Sequence, residues 1–370
     1  MRIAILTFHR AFNCGAMLQA WALKTELERQ GHVVEFPDCN RVGDIPRWRF
    51  SACNWRTRAG LKQALKEVRY NLYSLGSEDL SRTGFRDFRR QNLPERHCAP
   101  SDFPRFYDAV VIGSDQVWTS SITGPWTSLF LGEDVPDGMP MVAYSASAGD
   151  RLPDGEDLRR LRVACGRLSG VSVRERALGG VIGGAVPVVC DPSLLMSPGD
   201  YETIALDPPE TAPFVYAYTS VPSAFLMRTV QEVSIRMGLQ AVITPIGQFS
   251  RFRAPPGLTY AVSPGKMVGY QRAASAVVTD SFHGTALALV HNRPFVSLQG
   301  TPDRKTRIGD LLDRLGLANR LVTPETPMST VTRLLTEPLP DSAGRALVSF
   351  ADESRRWLVK TLGASGKRGV

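Results

Sequence analysis

Residue types that suit proton transfer and anion binding gather at four places in this 370-residue chain. The first is "TDSFHGT", Thr279 to Thr285. Histidine can both give and take a proton near neutral pH, so His283 is a candidate acid/base. Asp280, Ser281, Gly284 and Thr285 surround it in a polar turn between an apolar run and a helix, and the helix-start N–H groups at Gly284 and Thr285 suit an anion. A metal fits less well, because no second His, Cys or carboxylate stands at ligand spacing. His291 is eight residues on and reads as a helix-end residue.

The second place is "SVRER", where Arg174 closes an apolar run; a guanidinium fork matches the paired oxygens of a phosphate or carboxylate. The competing reading is a surface ion pair of Arg174 or Arg176 with Glu175, which would be worth little. The third is "GSDQVW", in which Asp115 can accept a proton from a sugar hydroxyl or bind it, or else simply cap the next segment. Trp118 and Trp126 can stack on a sugar ring, although packing is the commoner use of such rings. The fourth is "HRAFNCGA": Gly15 permits close backbone approach, and Asn13 can cap the helix or touch a ligand. Neither a G-x-G-x-x-G nor a Walker loop accompanies these, so a dinucleotide or P-loop site has no motif behind it.

The elements that must position these residues follow from hydrophobic period. "RIAIL" reads as a buried strand. Ala16, Ala20, Leu23 and Leu27 recur at helical spacing, Gly31 stops that helix, and "HVVEF" is a second strand. That βαβ unit implies a parallel sheet. Residues 41 to 105 are less regular. Strands are then expected at 109–112 and in "MVAYSAS", "GVSVRER" and "VPVVCDPSLLM", each ending in polar residues, as a site at the carboxyl edge of an open sheet requires. A Pro-rich stretch near 200–213 marks a boundary. A second set follows: strands "FVYAY", "QAVIT", "SAVVTD" and "PFVSL", with helices between them and two after them. The reading is α/β: two Rossmann-like domains, 1–205 and 206–340, facing across a cleft, then a C-terminal helix and frayed tail over 341–370.

Composition bounds the rest. No run of about eighteen apolar residues is present, so no membrane span is expected, and "MRIAILTF" reads as a strand rather than a leader. The six cysteines form no C-x-x-C pair, which fits a reducing cytosol and supports neither zinc nor a disulfide framework. The formal net charge is +8, much of it in "SRTGFRDFRRQNLPERH", with Arg82, Arg86, Arg89, Arg90 and Arg96. A solvated helix face is the plain reading. Attraction to a phosphorylated substrate or lipid headgroups is the sharper one. Nucleic acid has no recognition motif in its favour.

Taken in order, "FNCGAMLQAWAL", "YDAVVIGSDQVW", "VSVRER", "VCDPSLLM", "AVVTDSFHGTALALVHNRPFV" and the Arg307–Arg320 pattern resemble the polysaccharide pyruvyl transferase family. The resemblance implies a GT-B-like fold and transfer of a carboxyethylidene group from phosphoenolpyruvate to a saccharide, with phosphoenolpyruvate as co-substrate and no further cofactor. It makes His283 the catalytic acid/base and Arg174 a donor-binding and catalytic residue, with Asp115 beside them. Ser281, Gly284 and Thr285 fall on the donor side. So does a basic residue after the histidine, for which Arg304, Lys305 and Arg307 are alternatives. Asn13, Cys14, Gly15, Asp115, Gln116 and Trp118 fall on the acceptor side. Cys14 departs from the aromatic residue common in the family. The implied setting is cell-surface or exopolysaccharide biosynthesis in the cytoplasm, with peripheral membrane contact and a lipid-linked acceptor compatible with the basic stretch. The rival readings are a glycosyltransferase with a nucleotide-sugar donor and a non-catalytic saccharide-binding protein, since fold does not decide function.

Overall fold

The computed structural model describes residues 1–39, 78–219, 222–245, 262–299 and 307–365. Arg304 and Lys305, most of the irregular region and the last five residues lie outside them.

The first sheet is six-stranded and all parallel: β1 (Arg2–Leu6), β2 (Val33–Asp38), β3 (Glu95–His97), β4 (Ala109–Ile112), β5 (Met141–Ala146) and β6 (Gly170–Val173), in the order β3-β2-β1-β4-β5-β6. Its central strands β4 and β5 are buried at every position, because helices cover both faces of such a sheet. The chain order reverses between β1 and β4, which opens a crevice at their carboxyl ends. The second sheet holds β7 (Phe214–Thr219), β8 (Gln240–Pro245), β9 (Ala276–Thr279), β10 (Phe295–Leu298) and β11 (Leu321–Val322), ordered β11-β10-β9-β7-β8 and again parallel.

The helix Cys14–Arg29 differs from the amphipathic helix that its sequence suggests. Residues from Cys14 through Leu23 are buried without a break. It is wedged between the two halves, against the turn Pro192–Leu194 and the helix Pro264–Ala273, so it has no solvent face over that length. The expected strand in "VPVVCDPSLLM" does not form. Val188 makes a single bridge to Val173, and the chain then turns at Pro192–Leu194. Pro187 has no N–H for a ladder, and Asp191 caps the turn. The helix Asp341–Ser365 returns to the first half: Trp357 stacks near Tyr144 at 6.2 Å between ring centres, and the Ser354 hydroxyl accepts from Cys190 N at 2.9 Å. No helix among the described residues is long and apolar enough to cross a membrane.

Candidate functional site

The two sheets bring their strand ends together around one buried carboxylate, Asp191, which is 0% exposed. From β6, the next residue is Arg174, whose Nη1 donates to Asp191 Oδ2 at 2.9 Å. From β4, the Ser114 hydroxyl stands 3.1 Å from the same oxygen. Asp191 Oδ1 accepts from the Ser193 amide at 3.0 Å and its hydroxyl at 2.7 Å, which caps the turn. From the other half, His283 Nε2 faces Asp191 Oδ2 at 3.7 Å, an ion-pair distance longer than a hydrogen bond. Burial works to raise the Asp191 carboxyl, but the His283 ring and the Arg174 guanidinium hold it far below the usual carboxylate range.

Arg174 is more enclosed than its sequence reading suggests, with a side chain only 2% exposed. Nη2 donates to Ser147 Oγ at 3.0 Å and lies 3.7 Å from Asp115 Oδ1, while Nε lies 3.8 Å from Glu175 Oε2 and makes no hydrogen bond. The Phe282 ring covers it, 4.5 Å from Cζ to the ring centre. Burial disfavours the charged guanidinium, yet Asp191, Glu175 and Asp115 together raise its pKa above the ordinary value. The surface ion pair is thus excluded: this arginine sits among three carboxylates at the edge of the cleft. Burial pushes the Glu175 carboxyl up despite Arg174 and the Ser147 hydroxyl bound to it, and Glu175 Oε2 has no hydrogen bond.

His283 lies in the first turn of the helix Phe282–Val290, not in a loop before it, with Ser281 as N-cap. Gly284 N is turned to Ser281 Oγ and Thr285 N to Ser281 O, so these amides serve the cap rather than an open anion site. Thr285 is buried and pairs its hydroxyl with Ser297 at 2.8 Å. Gly284 is needed for packing: a Cβ there would stand 2.3 Å from Thr279 Oγ1.

The first loop reaches the same place. Asn13 caps the helix, its side chain accepting from Ala16 N at 3.2 Å. Gly15 sits against the histidine so closely that a Cβ would be 2.2 Å from His283 Nδ1. Cys14 is buried beside Tyr218, and burial drives its thiol far up, so it contributes packing rather than a nucleophile. Asp115 follows β4 with a left-handed φ of 75°, an uncommon conformation outside glycine. Its Oδ1 accepts from Gln116 N at 2.9 Å. Gln116 is half-buried against Gly149. Trp118 is a correction: its ring is buried and its Nε1 donates to Phe130 O at 3.1 Å, so it is core and not a stacking platform. Arg307 is brought to the cleft, where its Nε meets Asp150 of the first half at 3.3 Å. Two hollows that share Arg176, Arg307 and Asp310 in their linings flank the site. One, of only about 20 Å³, touches Arg174, Asp191, Phe282 and Arg307; the other, of about 510 Å³, touches Glu175, Arg176, Arg307 and Asp310.

Sequence reasoning missed Asp191 as the hub and read Glu175 only as a surface partner. The one local signal for Asp191 was its place before Pro192 and Ser193, which marks a cap but not what else the carboxylate meets. Among the described residues, no group of three or more His, Cys, Asp or Glu is arranged to hold a metal ion.

The family profile described as polysaccharide pyruvyl transferase matches residues 13–300. No curated protein matches the sequence. Among solved structures, the chain is similar to a UDP-N-acetylglucosamine 2-epimerase, with 11% identity, 100% of this chain and 97% of that chain covered, and a TM-score of 0.51. It is also similar to the UDP-GlcNAc 2-epimerase from Neisseria meningitidis bound to UDP-GlcNAc, with 11% identity, 98% and 99% covered, and a TM-score of 0.49. At its identity the first likeness speaks to fold alone: two parallel α/β domains of GT-B type with a helical C-terminus.

Proposed function

The chain belongs to the polysaccharide pyruvyl transferase family, and on that premise we propose that it moves a carboxyethylidene group from phosphoenolpyruvate onto two hydroxyls of a saccharide. The observation that supports this most is the convergence of His283 from one half with Arg174 and Asp191 from the other, at the carboxyl edges of both sheets. In the proposed reaction, a sugar hydroxyl adds to C2 of the donor while an acid protonates C3. A second hydroxyl then displaces phosphate and closes the ketal.

In this reading His283 supplies the C3 proton and Asp191 orients its ring; a positioned acid/base contributes about 10²–10⁴-fold. Arg174 stabilises the donor's anionic oxygens electrostatically. Its Nε has no hydrogen bond, so this edge has a donor free for an anionic oxygen once the surrounding carboxylates give way. Arg307 lines the same cleft and is the described candidate for the basic residue after the histidine. The saccharide would enter beside Asn13, Asp115 and Gln116. A cytoplasmic setting, a lipid-linked acceptor and peripheral membrane contact belong to the same proposal.

The test is incubation with phosphoenolpyruvate and a panel of saccharides, with mass spectrometry for the added group and assay of released phosphate. The expected result is ketal formation with phosphate release, abolished by His283→Ala in a folded protein. Parental turnover by pure His283→Ala would overturn the assigned role. Turnover with nucleotide sugars in place of phosphoenolpyruvate would overturn the donor.

A further inference from the structure

Cys39 and Cys98 are separated by 59 positions in the chain, yet the sheet sets them side by side. β2 and β3 are parallel with Asp38 opposite His97, and Cys98 N donates to Asp38 O at 3.3 Å. The next residues on the two strands, Cys39 and Cys98, are therefore cross-strand neighbours. Adjacent strands run about 4.8 Å apart, and a disulfide asks for Cα atoms roughly 4.4–6.8 Å apart.

The side chains also share a face. Alternation puts Val34 and Phe36 of β2 in one apolar cluster, whereas Cys39 and Cys98 both pack in the other, with Phe103, Tyr107 and Val135. Both are free thiols, Cys39 half-buried and Cys98 buried. β3 is a three-residue edge strand, so a covalent tie to β2 would secure a weakly held edge.

We infer that Cys39 and Cys98 are a redox-modification site, closing to a reversible intramolecular disulfide when a low-molecular-weight disulfide is the oxidant. The more accessible Cys39 thiolate attacks one sulfur of that disulfide, breaking its S–S bond and releasing one small thiolate. The Cys98 thiolate then attacks the Cys39 sulfur of the mixed disulfide and releases the second. Two protein thiols are oxidised, one small disulfide is reduced to two thiols, and the two protein protons pass to them.

The site stays closed to rapid reaction at neutral pH. Burial pushes the Cys39 thiol up to about 12, helped by the Cys98, Asp38 and Asp134 charges, and burial likewise raises Cys98, which Tyr107, Asp102, Arg96 and Glu35 face. The pair is thus a dithiol in a reducing cytosol and reports sustained oxidative conditions rather than brief ones.

The experiment treats reduced full-length protein with glutathione disulfide, and separately with diamide. Remaining thiols are then blocked with N-ethylmaleimide and peptides are mapped by mass spectrometry. The expected result is a peptide linking Cys39 to Cys98, lost on adding dithiothreitol, at a rate that climbs about tenfold per pH unit below pH 10. In Cys98→Ser, the mixed disulfide should accumulate on Cys39 instead. If native protein gives no Cys39–Cys98 linkage under either reagent, or links only after unfolding in guanidinium, or joins Cys39 to Cys165, the inference is wrong.

Discussion

Gly15→Ala isolates the contact between the two halves. Gly15 is helical, so nothing in its backbone demands glycine, and alanine would ordinarily stabilise the helix by about 0.8–1.0 kcal/mol. Here the added Cβ would meet His283 Nδ1 at 2.2 Å, Cγ at 2.4 Å and Cβ at 2.8 Å. Comfortable carbon contacts begin at about 3.5 Å, so the ring or the helix must yield by roughly 1.3 Å. Overpacking of this kind costs about 1–3 kcal/mol, which offsets the helix gain or exceeds it modestly. The effect on catalysis should be larger, because a displacement near 1 Å costs on the order of 10²-fold, or about 2.7 kcal/mol in the barrier. The assay is kcat/KM for phosphate release from phosphoenolpyruvate with a saccharide acceptor, beside a thermal melt. A fall on the order of 10²-fold with a small change in Tm is expected. In a His283→Ala background the two ring contacts disappear and only the 2.8 Å contact with the residue-283 Cβ remains, so Gly15→Ala should cost less stability there than in the parent and cost no further activity. Parental kcat/KM in folded Gly15→Ala would refute the reasoning, as would an equal loss of stability in both backgrounds.

Three further outcomes follow from the same cluster. Asp191→Ala leaves Arg174 buried with its nearest carboxylate gone and should destabilise by about 3–5 kcal/mol, read by denaturant unfolding. Because the Asp191 pKa is depressed in the fold, its contribution is present above the ordinary aspartate value near 3.9 and is lost as pH falls below it; the gap between variant and parent should narrow on acidification. Glu175 has the opposite sign: its pKa is raised, so its contribution is lost as pH rises from about 4.3 through the raised value. Glu175→Gln should accordingly gain on the parent as pH rises through that window, and a gap independent of pH would count against a raised pKa. Arg174→Ala should raise the apparent KM for phosphoenolpyruvate, lower kcat, or both; unchanged donor kinetics would remove it from the donor site.

Much of the fold was legible because its signals are local. The buried runs Ile3–Leu6, Ala109–Ile112 and Ala276–Thr279, the Asn13 cap and the stop at Gly31 can all be read along the chain. The failure at "VPVVCDPSLLM" arose where apolar content suggested a strand but the turn at Asp191–Pro192 held the pairing to a single bridge at Val188. At the site, His283 was recognisable from its residue type between a strand and a helix. Its helical position and its neighbours were not.

The sequence by itself determined the alternation of strand and helix, the polar residues at the strand ends and the resemblance that named the family. Those depend on periodicity, caps and the order of motifs, all of which lie along one chain. Only the tertiary structure decided that Asp191 stands between Arg174 and His283, that Gly15 leaves room for no side chain beside the histidine, that Trp118 is core, and that Cys39 and Cys98 are neighbours. Strand order and the docking of two sheets set those distances, and residues 12 to 268 positions apart carry no local mark of meeting.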